Sequence, residues 1–457
     1  MQLVVRGGTV TTAGWSAVMD VGIDGEQIVQ LGGPMHGDEE IDARGRYVLP
    51  GGVDPHVHLT PATNHPGELN WVDDFESGTR AALAGGVTTV GNITFPYPGT
   101  TMADALERDE IEASRMSLTD FFLHPVLRDP TDENLAQIEG LVAAGHSSIK
   151  VFLSFRRFDR NVDRYLEAMR LCGAAGGIAL LHCEDAAIMD CCAAALRAEG
   201  RTHPRHYPAS RSVRSESVAT ARAVAFAEAT RCPTYVVHLA AQSALDACRA
   251  GRQCGLPVYV ETRPLYLHLT VERFEETDGA KYAGAPPLRA PADQAALWAG
   301  LRAGDVDVVA TDHAPWRLAQ KLDPGLDAVS VRPGVAELET SLPMLWSRGV
   351  RAGRLTPERF VAVTATNPAR LFGLSPRKGT IAVGADADVL VWDPDATRAI
   401  DGAAMHSNAD YSPYDGWEIT GWPEVTISRG EIVARGNDVR VAPGRGRLAA
   451  RGPHQPL

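Results

Sequence analysis

Two histidines, His56 and His58, stand two residues apart at the end of a short apolar stretch. In a β-strand, residues i and i+2 point to the same face, so both imidazoles can be aimed at one place. Imidazole is the commonest protein ligand for metal ions near neutral pH. The pair alone is also typical of two polar residues at a strand end. It indicates a metal site only if other strands end in ligand-type residues as well.

The stretch that must position these histidines alternates short apolar runs with Ala-rich helical segments, which predicts βαβ units and a parallel sheet. The candidate strands are residues 53–59, 87–94, 120–126, 148–152, 178–184, 234–240, 257–263 and 306–313. Eight such units are what a TIM-like (β/α)₈ barrel needs, and barrel active sites lie at the C-terminal ends of the strands. We therefore expect an α/β fold whose site is built from the residues that end these runs.

Four further strand ends carry ligand-type residues. Lys150 ends the fourth candidate strand, His182 the fifth, His238 the sixth and Asp312 the eighth. Each alone has an ordinary explanation, since a strand-end histidine is often a hydrogen-bonded rim residue and a lone lysine is usually solvated. Together with the first histidine pair, they predict a metal centre on the active face of the barrel. His313 faces the other way along its strand and is not assigned to the centre.

Histidine nitrogens with carboxylate oxygens suit Zn²⁺ best, with Mn²⁺, Co²⁺ or Ni²⁺ as competitors. A protonated Lys150 would repel such ions, but burial lowers a lysine pKa. A neutral amine can take up CO₂ to form a carbamate, which is a carboxylate on a long stem and can bridge two ions. In this arrangement one ion would be held by His56, His58 and Asp312, and the other by His182 and His238.

Such a centre predicts a reaction. Two metal ions roughly 3.5–4 Å apart polarise a carbonyl and share an activated hydroxide. Asp312 can take the proton of the hydroxide and pass it to a leaving nitrogen, which is general acid/base catalysis. The residues therefore predict metal-assisted hydrolysis of an amide or a similar bond, with Asp312 as both ligand and catalytic residue.

The composition of the chain limits which binding partners and which cellular compartment we expect. The net charge of −13, without basic runs, argues against nucleic acid. Seven cysteines without a Cys-x-x-Cys pair are typical of free thiols in the cytoplasm. The first residues lack the apolar core of a signal peptide, and no apolar run approaches the ~18 residues of a membrane span. We expect a cytoplasmic protein with neither nucleic acid nor membrane as partner.

The two chain ends share a pattern of short β-rich runs separated by glycine turns. This pattern predicts one small β-sandwich built from both ends, beside the barrel. The predicted limits are 1–51 and 375–440 for the sandwich and 52–374 for the barrel. Residues 441–457 form a C-terminal tail, either flexible or lying over a neighbouring subunit.

Several motifs lie on the predicted active face. They are Gly52-Val53-Asp54-Pro55-His56-Val57-His58, Ile149-Lys150-Val151-Phe152, Leu181-His182-Cys183-Glu184-Asp185, Val237-His238-Leu239, Ala285-Pro286-Pro287-Leu288-Arg289 and Ala310-Thr311-Asp312-His313. With these motifs the chain resembles, over nearly its whole length, the amidohydrolase superfamily. Within it the chain is most similar to the cyclic amidases, namely hydantoinases and dihydropyrimidinases, with allantoinase and dihydroorotase further off. The resemblance implies two zinc ions bridged by a carboxylated Lys150, a sandwich domain and a homotetramer.

The chain departs from this family at three substrate-binding positions. The tyrosine that hydrogen-bonds the developing oxyanion in many relatives is Phe155 here. Main-chain substrate contacts of the family fall beside Ala285, usually a serine, and Pro333, often an asparagine. A main-chain contact tolerates Ala285, but Pro333 has no backbone N–H to donate, although its carbonyl remains.

Three loops would line the mouth of the pocket: residues 60–71, 93–100 and 153–162. Their aromatic side chains, among them Phe95 and Phe158, would pack either a substrate substituent or simply one another. The two interpretations stay open at this point.

The sequence therefore predicts a zinc hydrolase that opens a cyclic amide ring, either a 5-substituted hydantoin or a dihydropyrimidine-like ring. The enzymatic alternative is allantoinase or another cyclic ureide or imide hydrolase, with dihydroorotase less favoured. An interpretation of another class is a non-catalytic dihydropyrimidinase-like scaffold. It is disfavoured because such proteins typically lack metal ligands, whereas this chain retains all six.

Overall fold

The computed structural model describes residues 1–61 and 70–457. Its strands are β1 (Leu3–Thr11), β2 (Ser16–Asp24), β3 (Gln27–Leu31), β4 (Glu39–Asp42), β5 (Tyr47–Pro50), β6 (Gly52–Val57), β7 (Val87–Thr94), β8 (Asp120–Pro125), β9 (Ser148–Phe152), β10 (Ile178–His182), β11 (Thr234–Val236), β12 (Val258–Thr262), β13 (Val308–Val309), β14 (Val389–Ala399), β15 (Glu418–Ser428), β16 (Glu431–Arg435) and β17 (Asp438–Val439).

The α-helices are α1 (Phe75–Gly85), α2 (Met102–Met116), α3 (Asp132–Ala143), α4 (Arg156–Arg160), α5 (Val162–Ala174), α6 (Ala186–Ala198), α7 (Tyr207–Ser210), α8 (Val213–Thr230), α9 (Gln242–Gln253), α10 (Pro264–His268), α11 (Pro291–Ala303), α12 (Leu318–Lys321), α13 (Ser341–Leu345), α14 (Pro357–Val361) and α15 (Asn367–Leu371). Short 3₁₀ turns lie at Pro204–His206, Val271–Glu275, Gly279–Tyr282 and Gly402–Ala404, and π-helical turns at Trp346–Val350 and Ala362–Thr366. None of the helices in the described ranges is long and apolar enough to span a membrane.

Strands β6 to β13 form the barrel. They pair in parallel as one sheet of β6, β7 and β8 and a second of β9 to β13. Single parallel bridges between Val126 and Lys150 and between Val57 and His313 join the two sheets and close the circle. Each of the eight candidate runs overlaps one of these strands. The predicted (β/α)₈ fold is confirmed.

Apolar side chains fill the barrel, including Val53, Phe122, Leu180, Tyr235 and Val308, all buried. Strands whose two faces are both covered need near-continuous hydrophobic runs, and the helices provide the outer cover. This explains why the strand candidates could be recognised in the sequence as short apolar runs.

Helix α1 shows how the chain turns between layers. It begins after Asp74, whose carboxylate accepts the Ser77 backbone N–H at 2.8 Å, while the Ser77 hydroxyl accepts the Asp74 N–H. Such a capping box satisfies backbone donors that the first turn leaves free. The helix ends at Gly86, whose φ of 88° is left-handed and suits glycine. The chain then passes directly into β7.

The strands of the two chain ends form one sheet of their own. The order is β17-β16-β15-β14-β5-β1-β2-β3, with β4 beside β1. The halves join where β14 pairs antiparallel with β5, and Leu3, Ile23, Val389 and Ile427 contribute to a separate buried core. The predicted pairing of the chain ends is confirmed, while the exact domain limits stay predictions.

Residues 441–457 pack against the N-terminal ends of the barrel strands. Ala449 N donates to Phe121 O at 2.7 Å. The buried Arg451 donates to Leu123 O at 3.0 Å, and its guanidinium lies 5.1 Å from the Phe122 ring centroid. These contacts place the tail against its own barrel, and its role stays a prediction.

Candidate active site

The first histidine pair lies where β6 ends. His56 is on the strand and His58 is the first residue beyond it, and both are buried. His58 N donates to His313 O and Leu59 N donates to Asn92 Oδ1, each at 2.8 Å. The backbone of the pair is thus held between β7 and the segment that follows β13.

One half of the predicted centre is closely packed. His58 Nε2 lies 3.0 Å from Asp312 Oδ1, and His56 Nε2 lies 3.4 Å from the same oxygen. Lys150 Nζ lies 3.4 Å from His56 Nε2 and is buried without exposure. His56, His58 and Asp312 can present one ligand atom each to a single ion.

The other half adjoins it. The rings of His182 and His238 have centroids 4.6 Å apart, and His238 stacks on His56 at 5.5 Å. The structure therefore brings all six predicted ligands together at the C-terminal ends of the strands. Their binding of metal stays a prediction.

Two of these residues have left-handed backbones, with φ of 38° for His238 and 48° for Asp312. Non-glycine residues seldom adopt this conformation, and where they do it is often at functional sites. The turn of the backbone ends β11 at Val236 and β13 at Val309. Both strands are therefore shorter than the sequence pattern predicted.

Buried carboxylates that the sequence did not single out orient the histidines. His56 Nδ1 and Glu261 Oε1 are 2.8 Å apart, and the same oxygen accepts His238 N at 2.7 Å. His182 Nε2 and Glu184 Oε2 are 2.8 Å apart. A carboxylate on one ring nitrogen leaves the other for a metal and fixes the ring. The only local signal for Glu261 was a charge within an apolar strand run.

The donor set fits a metal centre. His56, His58 and Asp312 converge closely enough to share one ion, and within the described residues the buried Nδ1 atom of His238 has no hydrogen-bond partner. Buried polar atoms are usually paired, so such atoms point to a missing ligand. Burial lowers the pKa of His56, His58, His182 and His238. Neutral imidazoles are the form that binds metal.

The pKa values of Lys150 and Asp312 are shifted in the directions that the predicted chemistry needs. Burial lowers the pKa of Lys150 to about 8, which makes the neutral amine more accessible than in a solvated lysine. Burial alone would raise the pKa of Asp312, but the Arg263 guanidinium and His56 hold it well below its usual range. Arg263 Nη1 donates to Asp312 Oδ2 at 2.9 Å. Asp312 is therefore ionised at neutral pH.

A cavity of about 190 Å³ opens over the centre, and a second of about 130 Å³ adjoins it. The first is lined by the six predicted ligands and by Trp71, Phe95, Phe152, Ser154, Phe155, Arg211, Ala285, Ala314, Pro333 and Gly334. Trp71, Phe95 and Phe155 also line the second, so the two cavities share a wall of aromatic rings.

The three predicted substrate-binding residues all line the first cavity. Phe155 is 47% exposed and stacks on Phe152, with centroids 5.0 Å apart. The carbonyl of Pro333 accepts the indole N–H of Trp316 at 2.9 Å. Pro333 therefore lacks a backbone donor, and its acceptor already has a partner. Whether substrate contacts Phe155, Ala285 or Pro333 stays a prediction.

The aromatic residues of the loops divide into two groups. Phe95 and Tyr97 border the cavities. Phe158 is buried instead against Tyr165 and Phe226, so for this residue simple packing is the correct interpretation. Part of the predicted loop 60–71 lies outside the described residues, but its ends line the second cavity.

Comparisons with known proteins agree with the geometry. The sequence profile of the amidohydrolase family matches residues 47–433. The D-phenylhydantoinase of Escherichia coli strain K12 is 38% identical over 462 residues, covering 100% of this chain and 99% of that one. A solved D-hydantoinase superposes with a TM-score of 0.95 at 34% identity, with 100% of each chain covered. A dihydropyrimidinase from Brevibacillus agri superposes with a TM-score of 0.94 at 33% identity, again with 100% of each chain covered.

The chain belongs to the amidohydrolase family. Within that family it belongs with the hydantoinases and dihydropyrimidinases, as the motifs indicated. For a member of this group, the centre described above is the expected metal site, and the two cavities adjoin it. This chain departs from the family pattern at Phe155, Ala285 and Pro333, which line the first cavity beside the predicted ligands.

Proposed function

We propose that the protein hydrolyses the ring amide of 5-substituted hydantoins that carry an apolar substituent. The observation that carries this proposal is the pairing of the ligand cluster with a second cavity whose lining is mostly apolar and aromatic, although Arg108, Asp109 and Arg128 line it as well. Leu59, Ile93 and Val126 line that cavity beside the shared aromatic wall. The protein is a metal-dependent hydrolase of cyclic amides, and the apolar lining supports the finer choice among ring substrates.

Two divalent ions, most suitably Zn²⁺, would be held at this centre. His56, His58 and Asp312 would hold one, His182 and His238 the other, with a carboxylated Lys150 between them. When bound, the ions would polarise the scissile carbonyl and activate the attacking water. The support for this assignment is the convergence of His56, His58 and Asp312, the unpaired buried Nδ1 atom of His238 and the lowered pKa of Lys150.

The residues of the chain perform the proton transfers. A new C–O bond forms at the ring carbonyl carbon, and the bond from that carbon to the ring nitrogen breaks. Asp312, ionised at the start, takes the proton of the attacking water and gives it to the departing nitrogen. The product is an N-carbamoyl amino acid, whose new carboxylate comes from the carbonyl carbon.

Phe155 and its neighbours orient the substrate. Phe155 has no hydroxyl to donate to the carbonyl oxygen, so it contributes apolar surface instead. Apart from the ligands, the polar side chains that line the first cavity are Ser154, Arg211 and the indole of Trp71. Arg108, Asp109 and Arg128 also line the second cavity, so the choice of an apolar substituent over the polar ureido group of allantoin rests on the aliphatic and aromatic part of its wall.

A substrate panel tests this proposal. We expect kcat/KM to be highest for 5-phenylhydantoin or 5-isopropylhydantoin, lower for unsubstituted hydantoin, and lowest for dihydrouracil and allantoin. Steady-state rates on all five rings, before and after removal of metal with a chelator, are the measurement. A preference for allantoin or dihydrouracil would refute the substrate assignment, and full activity without metal would refute the mechanism.

Asp312→Asn tests the proton transfer within the same panel. The amide keeps an oxygen for the metal but cannot carry the proton, so kcat should fall by about 10²–10⁴ while KM changes little. Near-normal turnover would move the base elsewhere.

The family resemblance also supports a cytoplasmic homotetramer. Light scattering of the purified protein tests the assembly, because four chains and one chain differ fourfold in mass. Fractionation of cells that produce the protein tests the compartment.

A further inference from the structure

Arg263, which follows β12, is fully buried behind Asp312. Its Nη1 donates to Asp312 Oδ2 at 2.9 Å. Its Nε and Nη2 donate to Glu337 Oε2 at 3.2 and 2.8 Å. The Tyr414 hydroxyl donates to Glu337 Oε1 at 2.5 Å. One series of hydrogen bonds therefore runs from Asp312 to the connection between β14 and β15.

Stability alone does not explain this arrangement. The desolvation of a buried Arg–Glu pair can exceed its Coulombic gain, and apolar replacement of such pairs is often neutral or stabilising. Both partners here have side chains with no exposed surface. A pair of this kind, placed directly behind a predicted metal ligand, points to a role in orienting that ligand.

The geometry shows what is oriented. A guanidinium is planar, and its donors point in fixed directions. With Nε and Nη2 engaged by Glu337, Nη1 is directed at Asp312 Oδ2. The other oxygen, Oδ1, then faces His58 Nε2 at 3.0 Å and His56 Nε2 at 3.4 Å. The left-handed backbone of Asp312 also persists only if surrounding contacts hold it.

We propose that Arg263 is a positioning residue that fixes the Asp312 carboxylate with Oδ1 toward the ligand histidines. Glu337 and Tyr414 in turn fix the plane of Arg263. The inference rests on the proposed role of Asp312 as a metal ligand. Loss of a group that orients a ligand typically weakens metal affinity or activity by about 10–100-fold.

A rival explanation is net charge, since Arg263 adds a positive charge near the metal site and Glu337 a negative one. Two variants separate the explanations. Arg263→Met with Glu337→Gln keeps the net charge of the pair but removes the donor to Asp312. Glu337→Gln alone keeps the donor and makes the surroundings more positive by one charge.

The measurement is the Zn²⁺ affinity of metal-stripped protein, by competition with a chromophoric chelator, beside kcat and KM on the best substrate. Positioning predicts that the double variant binds one Zn²⁺ about 10–100-fold more weakly and loses kcat rather than KM. The single variant should lose no more than about threefold. If the single variant is the weaker binder and the double variant matches the parent, charge is the cause and the proposal is overturned.

A matched control measures the cost of losing any buried ion pair. Arg289 donates from Nε and Nη2 to Glu216 Oε2 at 3.0 and 2.8 Å, and both residues are buried. This pair has no hydrogen bond to a predicted ligand within the described residues. Arg289→Met with Glu216→Gln should keep Zn²⁺ affinity within about threefold of the parent. Equal losses in the two double variants would mean general loosening and would overturn the proposal.

Arg263→Lys keeps the inference testable if the double variant does not fold. An ammonium cannot hold Asp312 and Glu337 with the fixed fork of a guanidinium. We expect about a tenfold loss of Zn²⁺ affinity with the melting temperature of the metal-free protein near that of the parent. Parental affinity would overturn the proposal. A parent protein that binds no Zn²⁺ would instead contradict the proposed function, whatever the variants do.

Discussion

Two lysines are buried at opposite ends of the barrel, and their surroundings shift their pKa values in opposite directions. Lys150 lies among histidines at the C-terminal end, where burial lowers its pKa to about 8. Lys378 lies at the N-terminal end, with Nζ 2.6, 2.7 and 3.2 Å from oxygens of Asp120, Asp388 and Asp386. Burial alone would lower the pKa of Lys378, but the three carboxylates raise it above its usual range.

The comparison separates a reactive lysine from a structural one. The three carboxylates around Lys378 have the spacing of a metal site. The ammonium among them, with Arg429 Nη1 at 2.8 Å from Asp120 and Arg377 Nη2 at 3.1 Å from Asp386, already neutralises them. Lys150 has no such direct partner among the described residues, and its surroundings favour the neutral amine that can form a carbamate. Clusters of ligand-type residues therefore indicate metal only where no buried cation already satisfies them.

The largest effect is expected for Lys150→Ala. Loss of the bridging group should lower kcat by at least about 100-fold, beyond what loss of an orienting partner costs. Metal content, by elemental analysis, should fall below the two ions expected for the parent. Acetate or propionate should partly restore activity by supplying a carboxylate. A fully active variant would refute the two-metal centre.

Lys378→Met should act on stability instead. It removes the cation that three buried carboxylates share and leaves Asp388 without an ion-pair partner among the described residues. Breaking a buried ion pair in this way costs about 3–5 kcal/mol. Urea unfolding should show this loss, while the metal content of the folded protein stays at the parental value. A drop in metal content at unchanged stability would contradict the assignment of Lys378 as a structural lysine.

Phe155→Tyr tests whether a hydroxyl donor at this position speeds the reaction at the C-terminal end of the barrel. A donor placed at the oxyanion can contribute about 10²–10³ in kcat. Because Phe155 lies at the rim, we expect a smaller gain, on the order of tenfold, on unsubstituted hydantoin and dihydrouracil. Kinetics of both forms on both rings are the test. If dihydrouracil is already the best substrate of the parent and the tyrosine changes nothing, specificity is set elsewhere.

The smallest effect is expected for His406. Its pKa is raised, whereas the pKa values of the histidines at the predicted metal centre are lowered. A hydrogen bond to Glu339 raises its pKa, with Nδ1 at 3.1 Å from the carboxylate. The folded state therefore binds the proton more tightly than the unfolded state. The stabilisation is present below the unfolded pKa of ~6.5 and is lost as pH rises through the higher folded value.

His406→Gln should accordingly reduce the free energy of unfolding below pH 6 by less than about 1 kcal/mol, since the pair is partly exposed to solvent. The difference from the parent should shrink toward pH 8. Urea unfolding at several pH values gives this comparison. A difference that grows with pH would show that the ion pair has been assigned the wrong sign.

The barrel and the positions of the six predicted ligands could be predicted from the sequence because both follow from local patterns. Buried strands must be short apolar runs, and ligands at strand ends interrupt those runs with histidine, lysine or aspartate. Glu261 and Arg263 lie on the same kind of run, but nothing local showed that they contact the centre. Arg263 meets Glu337, 74 residues away, and such long-range pairs have no periodic signal.

The tail and the loops escaped prediction for a related reason. Glycine and proline mark where residues 441–457 turn, but not which surface receives them. The buried guanidinium of Arg451 finds its partners only in the folded barrel. Likewise, the burial of Phe158 depends on Phe226, which belongs to a later helix.

The sheet formed from both chain ends has a consequence for synthesis. Strand β5 ends at Pro50, and its partner β14 begins at Val389, so the barrel is translated in full between them. At ~5–20 residues per second, the first strands wait on the order of tens of seconds for the strand that covers their edge. An uncovered strand edge can pair with other chains. We expect the nascent chain to depend on ribosome-bound chaperones during this interval, after which β14 removes the exposed edge.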